Sequence, residues 1–310
     1  GIVILIVVTA GMASTTWVQF MKGSMLVVFT LALTIMILME GFSTQPGEEG
    51  NPLHDLKTLE LTTAEPGSLQ IADQDYSLIN EYTVNNLTFA KVEYEGLVNY
   101  WKLEPGEGVL TQAQSIVQQP DQPDLYNGAP KEEGLFYQVG HLSVIDGERN
   151  IQTGPVNLLT FFGVIKESEV IRWGQERIHD DNIQATVYYQ IPTQGSDVLV
   201  PGQNFKIDPN KGATTADQVN FISLMLSLFL GTAALPHILI RYYTVPSPAF
   251  ARKSTIVAVA AIGFFYVLTF FIGLGAMTQG GVDVTNQNMS APLLARTFGL
   301  GIFALISATA

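Results

Sequence analysis

From residue 254 to residue 277 the chain runs 24 residues without a charge, STIVAVAAIGFFYVLTFFIGLGAM. About 20 apolar residues in a helix cross the hydrocarbon layer of a bilayer, and a helix buried in a soluble core does not need so long an uncharged run. Residues 23–39, GSMLVVFTLALTIMILM between Lys22 and Glu40, form a second candidate span, and residues 219–240 a third. Residues 1–10 and 292–310 read as the end and the start of two more. A spanning helix cut inside hydrocarbon would leave backbone groups unsatisfied, so the expectation is an internal piece of a longer membrane protein. The apolar opening run has no basic segment before it and does not read as a signal peptide.

Charge divides the 310 residues sharply. Residues 42–215 carry 10 Lys and Arg against 25 Asp and Glu, a net of −15, whereas the remainder carries 5 against 3. A net charge of −13 excludes a basic nucleic-acid binder, and the partition excludes one soluble domain. The absence of cysteine excludes disulfides, thiolate metal sites and a cysteine nucleophile.

Basic residues in short loops set orientation. Lys22 lies in the loop expected at 11–22, and Arg241, Arg252 and Lys253 lie in 241–253, so both are expected in the cytoplasm. Residues 42–215 and 278–291 then lie outside, in a multi-pass protein of the cell membrane. The outside segment begins with a Gly/Pro/Ser/Glu-rich linker and ends with a polar stretch at 208–215. Between them, strand-like runs are expected at 87–94, 98–103, 135–144, 156–164 and 185–191, bounded by turn signals at 126–130, Asp146-Gly147 and Pro201-Gly202. The expected architecture is an α-helical polytopic membrane protein with an inserted, mainly β soluble domain. Its parts are residues 1–41 (the end of one helix, a cytoplasmic turn and a full helix), the acidic insertion 42–215, and 216–310 (a discontinuous helix, a full helix and the start of another).

The third span is interrupted. Pro236 lacks a backbone donor and its ring clashes with the carbonyl of Thr232, while Gly231 sits beside that weak point. A hydrophobic span broken by Gly and Pro suits a discontinuous transporter helix, whose freed backbone groups bind substrate or ion; the alternative is a kink that only shapes packing. His237 and Arg241 follow one turn apart, either as functional groups inside a span or as structural and gating residues near the inner surface. Within the insertion, the 178–182 stretch Ile-His-Asp-Asp-Asn with His141 lacks the converging ligands of a metal site and reads as a solvated loop.

GTAALPHILIRYYTVPSPAFARKS (231–254), followed by GFFYVLTFFIGLGA (263–276), resembles the sodium/solute symporter family, and within it the cation/acetate symporters. GMASTTWVQFMKG (11–23) is similar to the cytoplasmic turn between two core helices of that family. The resemblance implies a five-plus-five inverted-repeat transporter core, present here in part. It places the substrate site on Gly231, Thr232, Ala233 and Pro236 and on the face of the next helix with Gly263, Tyr266, Phe270 and Gly273. Tyr266 then becomes a substrate contact. Thr269 either joins it or bonds carbonyls of its own helix. The carboxylate of a substrate would rest on exposed N–H groups near 231–234. The family's sodium site uses a helix outside this sequence and hydroxyls just beyond Ser307 and Thr309, so no metal ligand is assigned. No cofactor is implied apart from sodium as coupling ion.

The implied function is secondary active symport of a small monocarboxylate such as acetate, driven by sodium or by protons, and not enzymatic catalysis. Its partners are the small organic anion, the coupling cation and the lipid bilayer, with no nucleic acid and with an unknown extracytoplasmic partner open for the insertion. Two alternatives remain at this stage: a symporter of proline or another small solute, and an extracytoplasmic receptor anchored by a transporter-like bundle.

Overall fold

A computed structural model describes residues 2–45, 56–120, 122–131, 136–180, 183–200, 205, 207–209, 212–233 and 245–309, with side chains except at 2–16, 233 and 309. Helix α1 (Ile2–Glu40) is continuous over 39 residues. At 1.5 Å per residue it is about 58 Å long. The turn expected at 11–22 is therefore helical backbone: the segment contains no proline, and a lone Gly11 costs only about 1 kcal/mol in a helix interior. Its second part, Trp17–Glu40, is long and apolar enough to cross a membrane.

Two antiparallel sheets follow. The first holds β1 (Thr58–Thr63), β2 (Gln70–Ile71), β3 (Ser77–Val84), β4 (Leu87–Tyr94), β5 (Leu97–Glu104) and β6 (Val109–Gln112), ordered β2-β1-β6-β5-β4-β3. The second holds β7 (Gln114–Gln118), β8 (Leu125–Tyr126), β9 (Ala129–Pro130), β10 (Val139–Val144), β11 (Glu169–Asp180), β12 (Ile183–Gln194) and β13 (Gln279–Val282), ordered β13-β10-β11-β12-β7-β8-β9. Hairpin turns use the residues the sequence signals. Asn127 and Gly128, between β8 and β9, have φ of 49° and 85°, the pair of positive angles a tight two-residue hairpin demands.

The sheets share an apolar layer. Phe89 and Tyr100 of the first meet Val117, Ile178, Val187 and Tyr189 of the second. Charged groups join them as well. Lys91 Nζ lies 2.9 Å from Asp180 Oδ2, and buried Lys102 donates to the Gln190 carbonyl and lies over the Tyr189 ring. A hydrogen bond from Tyr82, reinforced by Lys91, holds the Asp180 carboxyl below its usual pKa.

One expected strand is a helix. Residues 156–164 belong to the loop and first turns of α2 (Leu158–Glu167). The β-like composition misleads because Asn157 accepts from the N–H groups of Leu159 and Thr160 while Thr160 Oγ1 accepts from Asn157 N–H, a reciprocal cap that starts a helix. Phe161 and Ile165, four apart, then bury one face. Conversely, β11 carries five charged side chains, which hid it in the sequence. It pairs with β12 in register from Glu169 to Asp180, so 178–180 is the end of a strand and not a solvated loop.

Past a short helix, α3 (Gly195–Val198), come α4 (Thr215–Ala233) and α5 (Pro248–Thr278). Proline at N1 starts α5, and α5 is the second helix able to cross a membrane. Then β13 leads through a 3-10 turn to α6 (Ser290–Thr297) and α7 (Leu300–Thr309). The expected single run 292–310 is broken at Gly299, whose φ of 129° is outside helical geometry.

The α1 and α5 ends are built into the sheet region. Ile37 packs within 2.8 Å of where a Cβ on Gly275 would lie, and β13 extends directly from α5 to pair with β10. Gly41, at φ 74°, turns the chain so closely past Gly154 that a Cβ would sit 1.8 Å from its carbonyl oxygen. The buried Gln279 Nε2 donates to the Gly41 carbonyl at 2.6 Å. One apolar cluster thus unites Leu33, Ile37 and Phe42 with Leu142, Phe161, Ile165, Phe271 and Leu294.

Phe161 is completely buried, with its ring 4.9 Å from Phe42 and 5.1 Å from Phe271. Phe161→Ala should lower stability by about 3–5 kcal/mol, read as a reduced unfolding temperature of the purified protein in detergent. Asp180→Asn should remove a pH-dependent contribution. Because the folded pKa is depressed, that contribution is present above about pH 4 and is lost in acid. Unfolding temperatures of wild type and variant should therefore differ at pH 7 and converge as the pH falls below about 4.

Candidate functional site

Helix α4 begins with a second reciprocal cap: Thr214 N–H donates to Asp217 Oδ2 at 2.9 Å, and Asp217 N–H donates to Thr214 Oγ1 at 3.2 Å. The Phe205 ring packs 4.9 Å from that of Phe221, and Gln218 Nε2 donates to the Ile207 carbonyl, fixing the first turns. Beyond them the helix exposes Ile222, Leu226, Phe229 and Leu230 on all sides. A helix apolar all round belongs in a membrane or a large core.

The glycine, threonine and alanine picked out by sequence form its last described turn. As helical residues, Gly231, Thr232 and Ala233 direct their N–H groups at carbonyls four residues back. These three therefore do not offer the free N–H groups expected of them, and Ala234 lies outside the described residues. The Thr232 hydroxyl donates to the Leu228 carbonyl at 2.7 Å. A Cβ on Gly231 would meet nothing within 4 Å. Pro236, His237 and Arg241 lie outside the described residues.

Helix α5 presents the other half. Gly263, Tyr266, Phe270 and Gly273 are exposed, at three- and four-residue steps that place them on one face. The opposite face, with Leu268, Phe271, Ile272 and Gly275, is buried. Tyr266 is 68% exposed, and both glycines leave open space where a Cβ would stand. The Tyr266 hydroxyl thus stands as a donor on an exposed, otherwise apolar face. Thr269 Oγ1 donates to the Tyr266 carbonyl at 2.9 Å, the intrahelical alternative raised by the sequence. The structure brings Tyr266 and Thr269 together, while the Thr232 hydroxyl is engaged within α4.

Sequence reasoning missed that this face is bordered by α2. The Phe162 ring stacks on Phe270 at 5.7 Å with planes 21° apart. No sequence signal pointed to this contact, because 156–164 read as strand.

Among the described residues no group of three or more His, Cys, Asp or Glu side chains could hold a metal ion. His141 stands opposite Gln279 on β10, whereas His179 stands opposite Gln184 near the far end of β11. The two histidines occupy opposite ends of the second sheet. Ser307 lies in α7, and the Thr309 side chain is outside the described set.

Residues 182–310 match the sodium:solute symporter family. A protein of Corynebacterium glutamicum named monocarboxylic acid transporter is 47% identical over 167 residues, which cover 51% of this chain and 28% of that protein. An uncharacterised symporter of Bacillus subtilis, YwcA, is 41% identical over 134 residues, covering 40% of this chain and 24% of that protein. The chain thus spans about a quarter of the length of these curated relatives. No solved structure matches.

Proposed function

Because residues 182–310 match the sodium:solute symporter family, we propose that the protein is a cation-coupled symporter of a small monocarboxylate such as acetate. The observation that carries the substrate class is the 47% identity to a protein named monocarboxylic acid transporter. Sodium is the coupling ion in this reading, with protons as the alternative, and transport proceeds by alternating access in the cell membrane. Coupling follows when the ion stabilises the conformation that also binds the anion well, so that each raises the affinity of the other. Residues 42–215 and 278–291 face outward, as the distribution of basic residues in the short loops suggests.

The substrate lies between the end of α4 and the exposed face of α5. Tyr266 donates its hydroxyl to the carboxylate. Thr232 adds a second donor once its hydroxyl leaves the Leu228 carbonyl, an exchange of one hydrogen bond for another. Gly231, Ala233, Pro236 and Thr269 complete the site in this reading. His237 and Arg241 act at the inner mouth of the pathway, in gating and anchoring.

In sealed vesicles containing the protein, an inward sodium gradient should stimulate uptake of labelled acetate or another short monocarboxylate. Absence of any cation-stimulated uptake of such acids would overturn the assignment. Tyr266→Phe and Thr232→Ala should each weaken uptake roughly two- to tenfold, the value of one hydrogen bond, with membrane insertion intact. Unchanged transport in either variant removes that residue from the site.

A further inference from the structure

The apolar flank of α2 has no role in the reading above. Leu158 is 54% and Leu159 86% exposed, and with Phe162, Gly163 and Lys166 they share one side of the helix. Two adjacent leucines in water would be an ordinary surface feature elsewhere. Here their position relative to α1 and α5 gives them a different setting.

The depth follows from contacts. Counting about 20 residues of 1.5 Å from Ser254, the first residue past Arg252 and Lys253, a hydrocarbon layer about 30 Å thick ends near Gly273. Phe270 therefore lies inside it, and Phe162 stacks on Phe270. On α1, the Val156 N–H donates to the Leu38 carbonyl at 2.8 Å, two residues before Glu40, the end of the helix. The first turns of α2 thus touch α5, and the residue before its cap touches the end of α1, at the far boundary of the layer. Val267, on the flank of α5 next to the Tyr266 face, is itself 55% exposed.

The start of α2 also suits an apolar setting. A helix N-terminus in lipid is costly because its first N–H groups lack partners. Asn157 Oδ1 accepts from two of them, at 3.0 Å and 2.9 Å. Lys166, in the last turn, is exposed on the same flank, and its long stem can carry the ammonium towards the headgroups.

We propose that α2 is an interfacial helix, seated with Leu158, Leu159 and Phe162 in the lipid at the boundary where α1 and α5 leave the hydrocarbon. The sheet region is then attached to the membrane itself as well as to the helix ends. This rests on α5 spanning the bilayer.

The 310 residues contain no cysteine, so each introduced cysteine is the single labelling site within them. Leu159→Cys, Ile79→Cys and Val267→Cys, each carrying an environment-sensitive nitrobenzoxadiazole probe, are compared in the protein reconstituted in phosphatidylcholine vesicles. Leu158→Cys serves if Leu159→Cys fails to assemble. Spin-labelled lipid should reduce and blue-shifted emission should mark the Leu159 probe, while aqueous iodide reduces only that at Ile79. An iodide-sensitive Leu159 probe with a protected Val267 probe overturns the interfacial assignment alone. Protection of Leu159 from both quenchers means that protein covers the flank and also overturns it. Iodide access at both Leu159 and Val267 overturns the spanning role of α5 together with the proposal.

Discussion

Phe161 sits without solvent exposure between Phe42, just past the end of α1, and Phe271 in the last turns of α5. Three segments far apart in the chain meet at this ring, and each brings a part of the structure with it. Phe42 fixes where α1 gives way to the sheet region, Phe271 fixes the exit of α5, and Phe161 fixes α2 across both. A buried aromatic of this kind contributes both area and ring geometry. The polar complement is Gln279, whose side chain closes on the Gly41 carbonyl inside the same joint. Because β13 is covalently the continuation of α5 and hydrogen-bonded to β10, the second sheet and α5 form one connected unit.

The hydroxyls of the apolar helices follow a common rule. Thr30, Thr34, Thr232, Thr269 and Thr278 each donate to a carbonyl three or four residues earlier in their own helix. In an environment without water, a hydroxyl that lacked such a partner would carry the desolvation cost of an unpaired donor. Any ligand that used one of these hydroxyls would first have to displace such a bond. The phenol of Tyr266 is different in kind, because it stands on the exposed face of α5 at a distance from its own backbone. That difference is why the proposed substrate contact rests on Tyr266 before Thr232 and Thr269.

Legibility varied with the physics of each segment. The run expected at 87–94 is β4 to the residue, entered through a turn in which Asn85 and Asn86 both take positive φ. Strand β11 escaped because its charged side chains obscure the period of two, and its pairing with β12 and β10 supplies what its composition lacks. Residues 156–164 were misread because Val, Leu and Phe favour strands locally; the capping of Asn157 and the burial of Phe161 decide the matter. At the site, Tyr266 and its face were visible as a three- and four-residue step on a long apolar helix. The N–H groups of 231–233 are not exposed as expected, since helical structure through Ala233 commits them.

The sequence by itself determined that residues 254–277 and the run ending at Glu40 are membrane-length helices, since length and absence of charge are local properties. It likewise determined that an acidic, strand-rich region separates them, and it carried the resemblance that the match over 182–310 supports. Only the tertiary structure decided that this region shares its core with the helix ends. It also decided that the residues following α5 add a strand to the second sheet, and that α2 borders the face carrying Tyr266. Those outcomes depend on contacts such as Gln279 with Gly41, 238 positions apart. No local pattern of propensity or period encodes a pairing at that separation.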